Sequence, residues 1–224
     1  MKKYLYTIFF FSLLSCKTTK PVDYSNELIE KNLPVVSKQK TIHDSTFVNI
    51  SDFNNDFVLD LKYATNDNFL KAQVYDCAKC LLRYKTMKML ILAQEDFKKL
   101  GYKIKLFDCY RPHDVQKAMW KILPDANYVA DPAKGSLHNR GGAIDLTLID
   151  KNGNEIDMGT PFDDFTEASS HDYQNLSIKV LENRKLLKTI MEKHGLMAIK
   201  SEWWHYNKIV EPMDKISNFK WKCN

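Results

Sequence analysis

A histidine and a carboxylate stand seven residues apart in the run Ser136, Leu137, His138, Asn139, Arg140, Gly141, Gly142, Ala143, Ile144, Asp145, with two glycines between them. Imidazole nitrogen and carboxylate oxygen are both zinc ligands, and a catalytic zinc usually takes three protein ligands and keeps one position for water. The best third ligand is His205 in Glu202, Trp203, Trp204, His205, where Glu202 is close enough in sequence to act on the attacking water without binding the metal itself. His138, Asp145 and His205 are therefore expected to hold one zinc ion per chain, with Glu202 beside them. His194 falls in the last turn of a helical pattern, where a histidine serves as a cap. His113 and His171 are not needed once the three ligands are assigned.

These side chains need strand ends and loops to present them. Phe57, Leu59, Leu61 and Tyr63 alternate with polar residues, which predicts a strand over 57–63 followed by a polar loop over 64–68. Apolar residues at helical spacing predict a helix over 82–100, stopped by Gly101. The alternation from Tyr102 to Phe107 predicts a strand that delivers Asp108, Cys109, Tyr110, Arg111 and Pro112 at its end. Pro112 biases Arg111 towards an extended backbone, and Asp108 three residues earlier is the natural carboxylate to hold its guanidinium. A short helix follows over 114–123, and 143–149 alternates as a strand carrying Asp145. Asp150 to Gly153 predicts a reversal, 157–175 a long polar loop suited to a pocket rim, and 176–194 a second long helix stopped by Gly195. A regular strand would put Glu202 and His205 on opposite faces, so a bend or a loop-to-strand junction is expected around Glu202. Strands interleaved with two long helices predict a single α+β domain, a largely antiparallel sheet flanked by helices.

The pattern S-x-H-x-x-G-x-A-x-D, met at Ser136, His138, Gly141, Ala143 and Asp145, and E-W-W-H, met at Glu202 to His205, resemble the zinc D-alanyl-D-alanine dipeptidase family, related to the zinc D,D-carboxypeptidases. Tyr63 to Phe69, the Tyr110, Arg111, Pro112 segment, and Met158, Gly159, Thr160, Phe162, Asp163 resemble three further family segments. Cys109 stands where that family commonly has glycine. The resemblance implies a hedgehog/D,D-peptidase-like fold and hydrolysis of the D-alanyl-D-alanine dipeptide by a metal-activated water, with Glu202 as general base. It also implies Arg111 as a transition-state partner held by Asp108, with Tyr63, Ser136 and Asp163 contacting substrate. Two other readings share the ligand triad. A D,D- or L,D-carboxypeptidase acting on peptidoglycan stem peptides would need a groove open beyond a dipeptide, which the Tyr63 to Phe69 segment and the doubled Trp203, Trp204 disfavour. A non-catalytic zinc-binding interaction module would need neither Glu202 nor Arg111.

Among 224 residues, 44% hydrophobic, there is enough apolar content for one sizeable core, and a formal charge of +5 with no basic run gives no support for nucleic-acid binding. Lys2 and Lys3 precede an apolar run from Tyr4 to Leu14, which is too short to span a membrane. Its end, Leu13, Leu14, Ser15, Cys16, resembles a bacterial lipobox. The expected organisation is a lipoprotein signal over 1–15, a tether over 16–45 starting at an acylated Cys16, and the zinc dipeptidase domain over 46–224. Such a chain would be anchored by its lipid in the periplasm or cell envelope. Cys77, Cys80, Cys109 and Cys223 then meet an oxidising compartment, where their even number suits disulfides or buried thiols. A zinc knuckle at Cys77 and Cys80 lacks a second ligand pair at similar spacing.

Overall fold

The computed structural model describes residues 42–208 and 213–223. The segments read as signal and tether, and Cys16 with them, lie outside the described residues apart from 42–45. Among the described residues no helix is long and apolar enough to cross a membrane.

The elements are β1 (Phe47–Asn49), β2 (Val58–Leu59), β3 (Leu81–Arg83), α1 (Tyr84–Lys99), β4 (Lys103–Asp108), α2 (His113–Ile122), β5 (Ala143–Ile149), α3 (Ile178–Lys193), β6 (Leu196–Ala198) and β7 (His205–Lys208). Five strands form one sheet in the order β2-β4-β5-β7-β6, and β1 pairs with β3 in a small second sheet. Every pairing in the larger sheet is antiparallel except β2 with β4. This is the α+β, largely antiparallel architecture expected from the sequence.

Helix α1 packs against β4, α3 against β6, and the two helices against each other, so both cover one face of the sheet. Ile104 and Leu106 of β4, Ile144, Leu146 and Leu148 of β5 and Tyr206 of β7 are completely buried. By the two-residue period of a strand, the residues between those of β5 and β7 face the other way, and Asp145 and His205 are among them. On that other side Tyr63, Leu70, Tyr75, Met119 and Val129 form a smaller buried cluster beneath the site.

Three expectations are corrected. The strand read over 57–63 is only Val58–Leu59, because Lys62–Ala64 turns as a 3-10 segment and carries Tyr63 inward. Leu82, read as the first apolar position of a helix, lies in β3, where it pairs with Val48, and the helix begins at Tyr84. The reversal after β5 is present, but it leads only to an isolated bridge between Ile149 and Glu155, and β5 finds its long partners in β4 and β7.

Candidate active site

Strand register assembles the centre of the site. Asp108 lies opposite Asp145 across β4 and β5, and Asp145 opposite His205 across β5 and β7, so three polar residues from distant parts of the chain form one row. Directly opposed side chains on one sheet face have Cβ atoms ~4.5–5.5 Å apart, close enough to share a ligand or a hydrogen bond. The β4–β5 register shifts between Leu106 and Asp108, a bulge that re-aims the end of β4 towards this row.

His138 joins from outside the sheet, on the one-turn 3-10 segment His138–Arg140. That turn closes at Gly141, whose φ of +72° favours glycine, and a Cβ there would lie 2.6 Å from a ring carbon of Phe47. The glycine of the motif is therefore required twice, by conformation and by space. His205 opens β7, and Glu202 stands in the turn before it, as the expected loop-to-strand junction requires.

The hydrogen bonds fix which ring nitrogens point inward. His138 Nδ1 lies 2.7 Å from the carbonyl of Cys109, which can only accept, so Nδ1 carries the proton and Nε2 keeps its lone pair. His205 Nε2 lies 2.8 Å from Asn207 Oδ1 and donates to it in the tautomer that turns Nδ1 towards Asp145 and His138. These two nitrogens are 3.3 Å apart, with Asp145 Oδ1 2.8 Å from His205 Nδ1 and Asp145 Oδ2 3.3 Å from His138 Nε2. One ligand atom from each of the three residues lies within 4.8 Å of the others. Lone pairs this close repel one another unless a cation stands among them, and each imidazole is oriented by a second acceptor in the way a metal-bound histidine is. Two imidazoles and a carboxylate are a donor set that fits zinc. Electrostatics agree: burial works against the Asp145 charge, but His138 and His205 hold its carboxyl well below the usual carboxylate range.

Glu202 Oε2 lies 3.9 Å from His205 Nδ1. Burial pushes this carboxyl above its ordinary value, with His205 pulling it down and Asp145 pushing it further up.

Arg111 is buried beside the same row. Its Nε and Nη2 donate to Asp108 Oδ2 at 3.2 and 2.7 Å, and its Nη1 donates to Gln116 Oε1 at 2.9 Å. Three of its five N–H groups serve these bonds, and the Tyr75 hydroxyl lies against the same guanidinium. The guanidinium lies 5.2 Å from the centre of the Tyr63 ring. The Tyr63 hydroxyl donates to Asp163 Oδ2 at 2.9 Å. Asp163 adopts a left-handed backbone, φ +58°, at the tip of the 157–175 loop, and burial followed by the nearby Asp145 charge pushes its carboxyl well up. Ser136 Oγ accepts from the Asn139 backbone at 3.3 Å, so its own proton remains available. Rings of Phe69, Phe162, Phe165 and Trp204 wall this region, packed edge to face at centroid distances of 5.1 Å for Phe69 with Phe165 and 5.5 Å for Phe162 with Trp204.

A family model described as D-ala-D-ala dipeptidase matches residues 43–222. The chain belongs to that family. Among its relatives, the D-alanyl-D-alanine dipeptidase of Escherichia coli (strain K12) is 39% identical over 151 residues, 67% of this chain and 78% of the relative. Proteins of the same description from Enterococcus faecium and Enterococcus faecalis (strain ATCC 700802 / V583) are 34% and 33% identical. The first covers 68% of this chain and 86% of its own length, the second 71% and 90%. Membership makes this chain a peptidase, hence a hydrolase.

The structure brings together His138, Asp145, His205 and Glu202, and separately links Asp108, Arg111, Tyr63 and Asp163. Four supporting groups were not read from the sequence. Asn207 shares a strand face with His205 two residues away, and that spacing was a usable signal. Gln116 lies on α2 five residues after Arg111. The Cys109 carbonyl has no side-chain signature at all, and Tyr75 reaches Asp108 only through the fold. The four described cysteines are paired, Cys77 with Cys223 and Cys80 with Cys109, which removes the zinc-knuckle reading. His194, read as a cap, ends α3 and bonds Asp96 of α1 at 2.8 Å.

Proposed function

We propose that this protein hydrolyses the D-alanyl-D-alanine dipeptide with one zinc ion held by His138, Asp145 and His205. The observation that carries the proposal is the convergence of three oriented ligand atoms with a half-buried glutamate beside them and an arginine fork close by. Bound zinc supplies Lewis-acid polarisation and a nucleophilic water at neutral pH. Glu202 takes the proton of the attacking water and returns it to the leaving amine, a transfer suited to a carboxylate whose proton affinity burial has raised. The terminal N–H groups of Arg111 receive the carbonyl oxygen as it becomes negative. Asp163, with the Tyr63 hydroxyl on one oxygen, is placed to bind the free ammonium of a dipeptide, whose positive charge offsets the cost of burying an ionised carboxylate. Ser136 donates its free proton to the substrate. The aromatic rings packed around Asp163 support a short substrate over a long stem peptide.

Assay of the zinc-loaded protein against D-Ala-D-Ala, L-Ala-L-Ala and a stem pentapeptide ending in D-Ala-D-Ala tests this reading. The free D,D-dipeptide is expected to be cleaved far faster than the other two. Equal cleavage of the pentapeptide would make the protein a carboxypeptidase, and no cleavage of any would make it a binding module. The lipobox-like N-terminus supports anchorage in the cell envelope through acylated Cys16. Cys16→Ala should leave the membrane fraction or accumulate as precursor, and unchanged fractionation would refute the anchor.

A further inference from the structure

The structure assigns Tyr75 a positioning role for Arg111, exerted through Asp108 and backed by the C-terminal segment 213–223. The assignment rests on the reading that Arg111 meets the reacting carbonyl oxygen. Tyr75 is buried, and its hydroxyl donates to Asp108 Oδ1 at 2.7 Å. A buried phenol without an acceptor costs stability, and phenylalanine would fill the same apolar space, so the hydroxyl is explained by that carboxylate. Burial first, and then the Asp108 charge, push the phenol well above its ordinary range and keep it a donor.

The two oxygens of Asp108 divide their work. Oδ1 accepts the Tyr75 hydroxyl and, at 2.9 Å, the backbone N–H of Cys109, while Oδ2 accepts both bonds from Arg111. The terminal torsion of an aspartate is broad, so its own backbone does not fix the plane of the carboxylate. The Cys109 N–H belongs to the next residue and moves with Asp108. Tyr75, 33 residues distant, is the restraint on Oδ1 that comes from elsewhere in the chain, and the guanidinium plane follows the carboxylate plane.

Tyr75 is itself held. Its ring packs between Tyr63, at 6.2 Å, and Trp221, at 5.8 Å. Trp221 lies in the terminal segment, which the Cys77–Cys223 disulfide ties to the chain two residues beyond Tyr75. Trp221 Nε1 donates to Cys77 Sγ at 3.2 Å, Lys79 Nζ to the Lys222 carbonyl at 2.7 Å, and the Tyr110 hydroxyl to the Phe219 carbonyl at 3.1 Å. A segment that contributes no ligand and no reacting group thus sets the angle of the arginine.

The test is a double-mutant cycle on D-Ala-D-Ala hydrolysis, with Tyr75→Phe made in the wild type and in Arg111→Lys, and with zinc content and Tm measured alongside. Tyr75→Phe is expected to lower kcat roughly 10–100-fold through misplacement of the fork, with KM within about twofold because the charge it meets develops only in the transition state. In Arg111→Lys the same change should have little effect, since an ammonium has no planar fork to align. Trp221→Leu keeps the hydroxyl and removes its backing, and should lower kcat in the Arg111 protein only. This second variant carries the test if Tyr75→Phe does not fold. Wild-type kcat in both Tyr75→Phe and Trp221→Leu would overturn the assignment, and so would an equal loss in the Arg111→Lys background, which marks a general structural effect. Full kcat in Arg111→Lys alone would overturn the reading of Arg111, and that result is visible without either partner variant.

Discussion

Glu202 is pulled in two directions, since burial and the Asp145 charge raise its proton affinity while His205 lowers it. A group balanced in this way can take a proton and give it back within one turnover. Glu202→Gln keeps the size and loses the basicity, so kcat on D-Ala-D-Ala should fall ~10²–10⁴-fold with zinc content and Tm unchanged. A zinc-loaded Glu202→Gln protein with near-normal kcat would remove the residue from the reaction. The candidate residues that the structure brings together were legible in the sequence because they sit in short motifs: His138 with Asp145, Glu202 with His205, Asp108 with Arg111. The groups that orient them were less so. A backbone carbonyl at Cys109 fixes the His138 tautomer, and no residue type announces that role.

The loop over 157–175, read as a pocket rim, is held at both ends by α3. Arg184 Nε donates to the Met158 carbonyl at 2.7 Å and its Nη1 to the Ser170 carbonyl at 3.0 Å, while Asn183 Nδ2 donates to the Asp157 carbonyl at 2.8 Å. His171, next to that anchor, has its pKa lowered to about 4 by burial, then by Lys188 and Arg184. An unfolded histidine titrates near ~6.5, so between that value and about 4 the unfolded chain takes a proton that the folded chain refuses. The stability this group contributes is complete above pH ~6.5 and is lost as the pH falls through that window. Thermal unfolding at a series of pH values should therefore show a shallower acid loss of Tm for His171→Gln than for the wild type, and parallel curves would contradict it. Among elements, the long helices and the strands β4 and β5 were legible from periodicity. The three-residue strands β1, β3 and β6 were not, because a run that short carries no period and is defined by a partner remote in sequence. Tyr63 was read as a strand end, yet its carbonyl accepts the N–H groups of both Val74 and Tyr75, a contact with the following loop that makes the chain turn.

At the scale of the whole molecule, two disulfides among the described residues close the chain on itself. Cys77–Cys223 spans 146 residues and fastens the C-terminal segment, and Cys80–Cys109 spans 29 and ties β3 to the turn that orients His138. Such bonds persist in oxidising compartments, which supports the proposed place in the cell envelope. Sheet register, disulfides and terminal segment converge on one arrangement, three ligand atoms facing a common point beside Glu202 and Arg111. The most direct measurement is the rate of D-alanine release from D-Ala-D-Ala by protein stripped of metal and titrated back with zinc. Activity should vanish on chelation and return in full at one zinc per chain, with no return in His205→Ala. Undiminished turnover by the stripped protein, or full recovery by zinc-treated His205→Ala, would contradict a single zinc held by His138, Asp145 and His205.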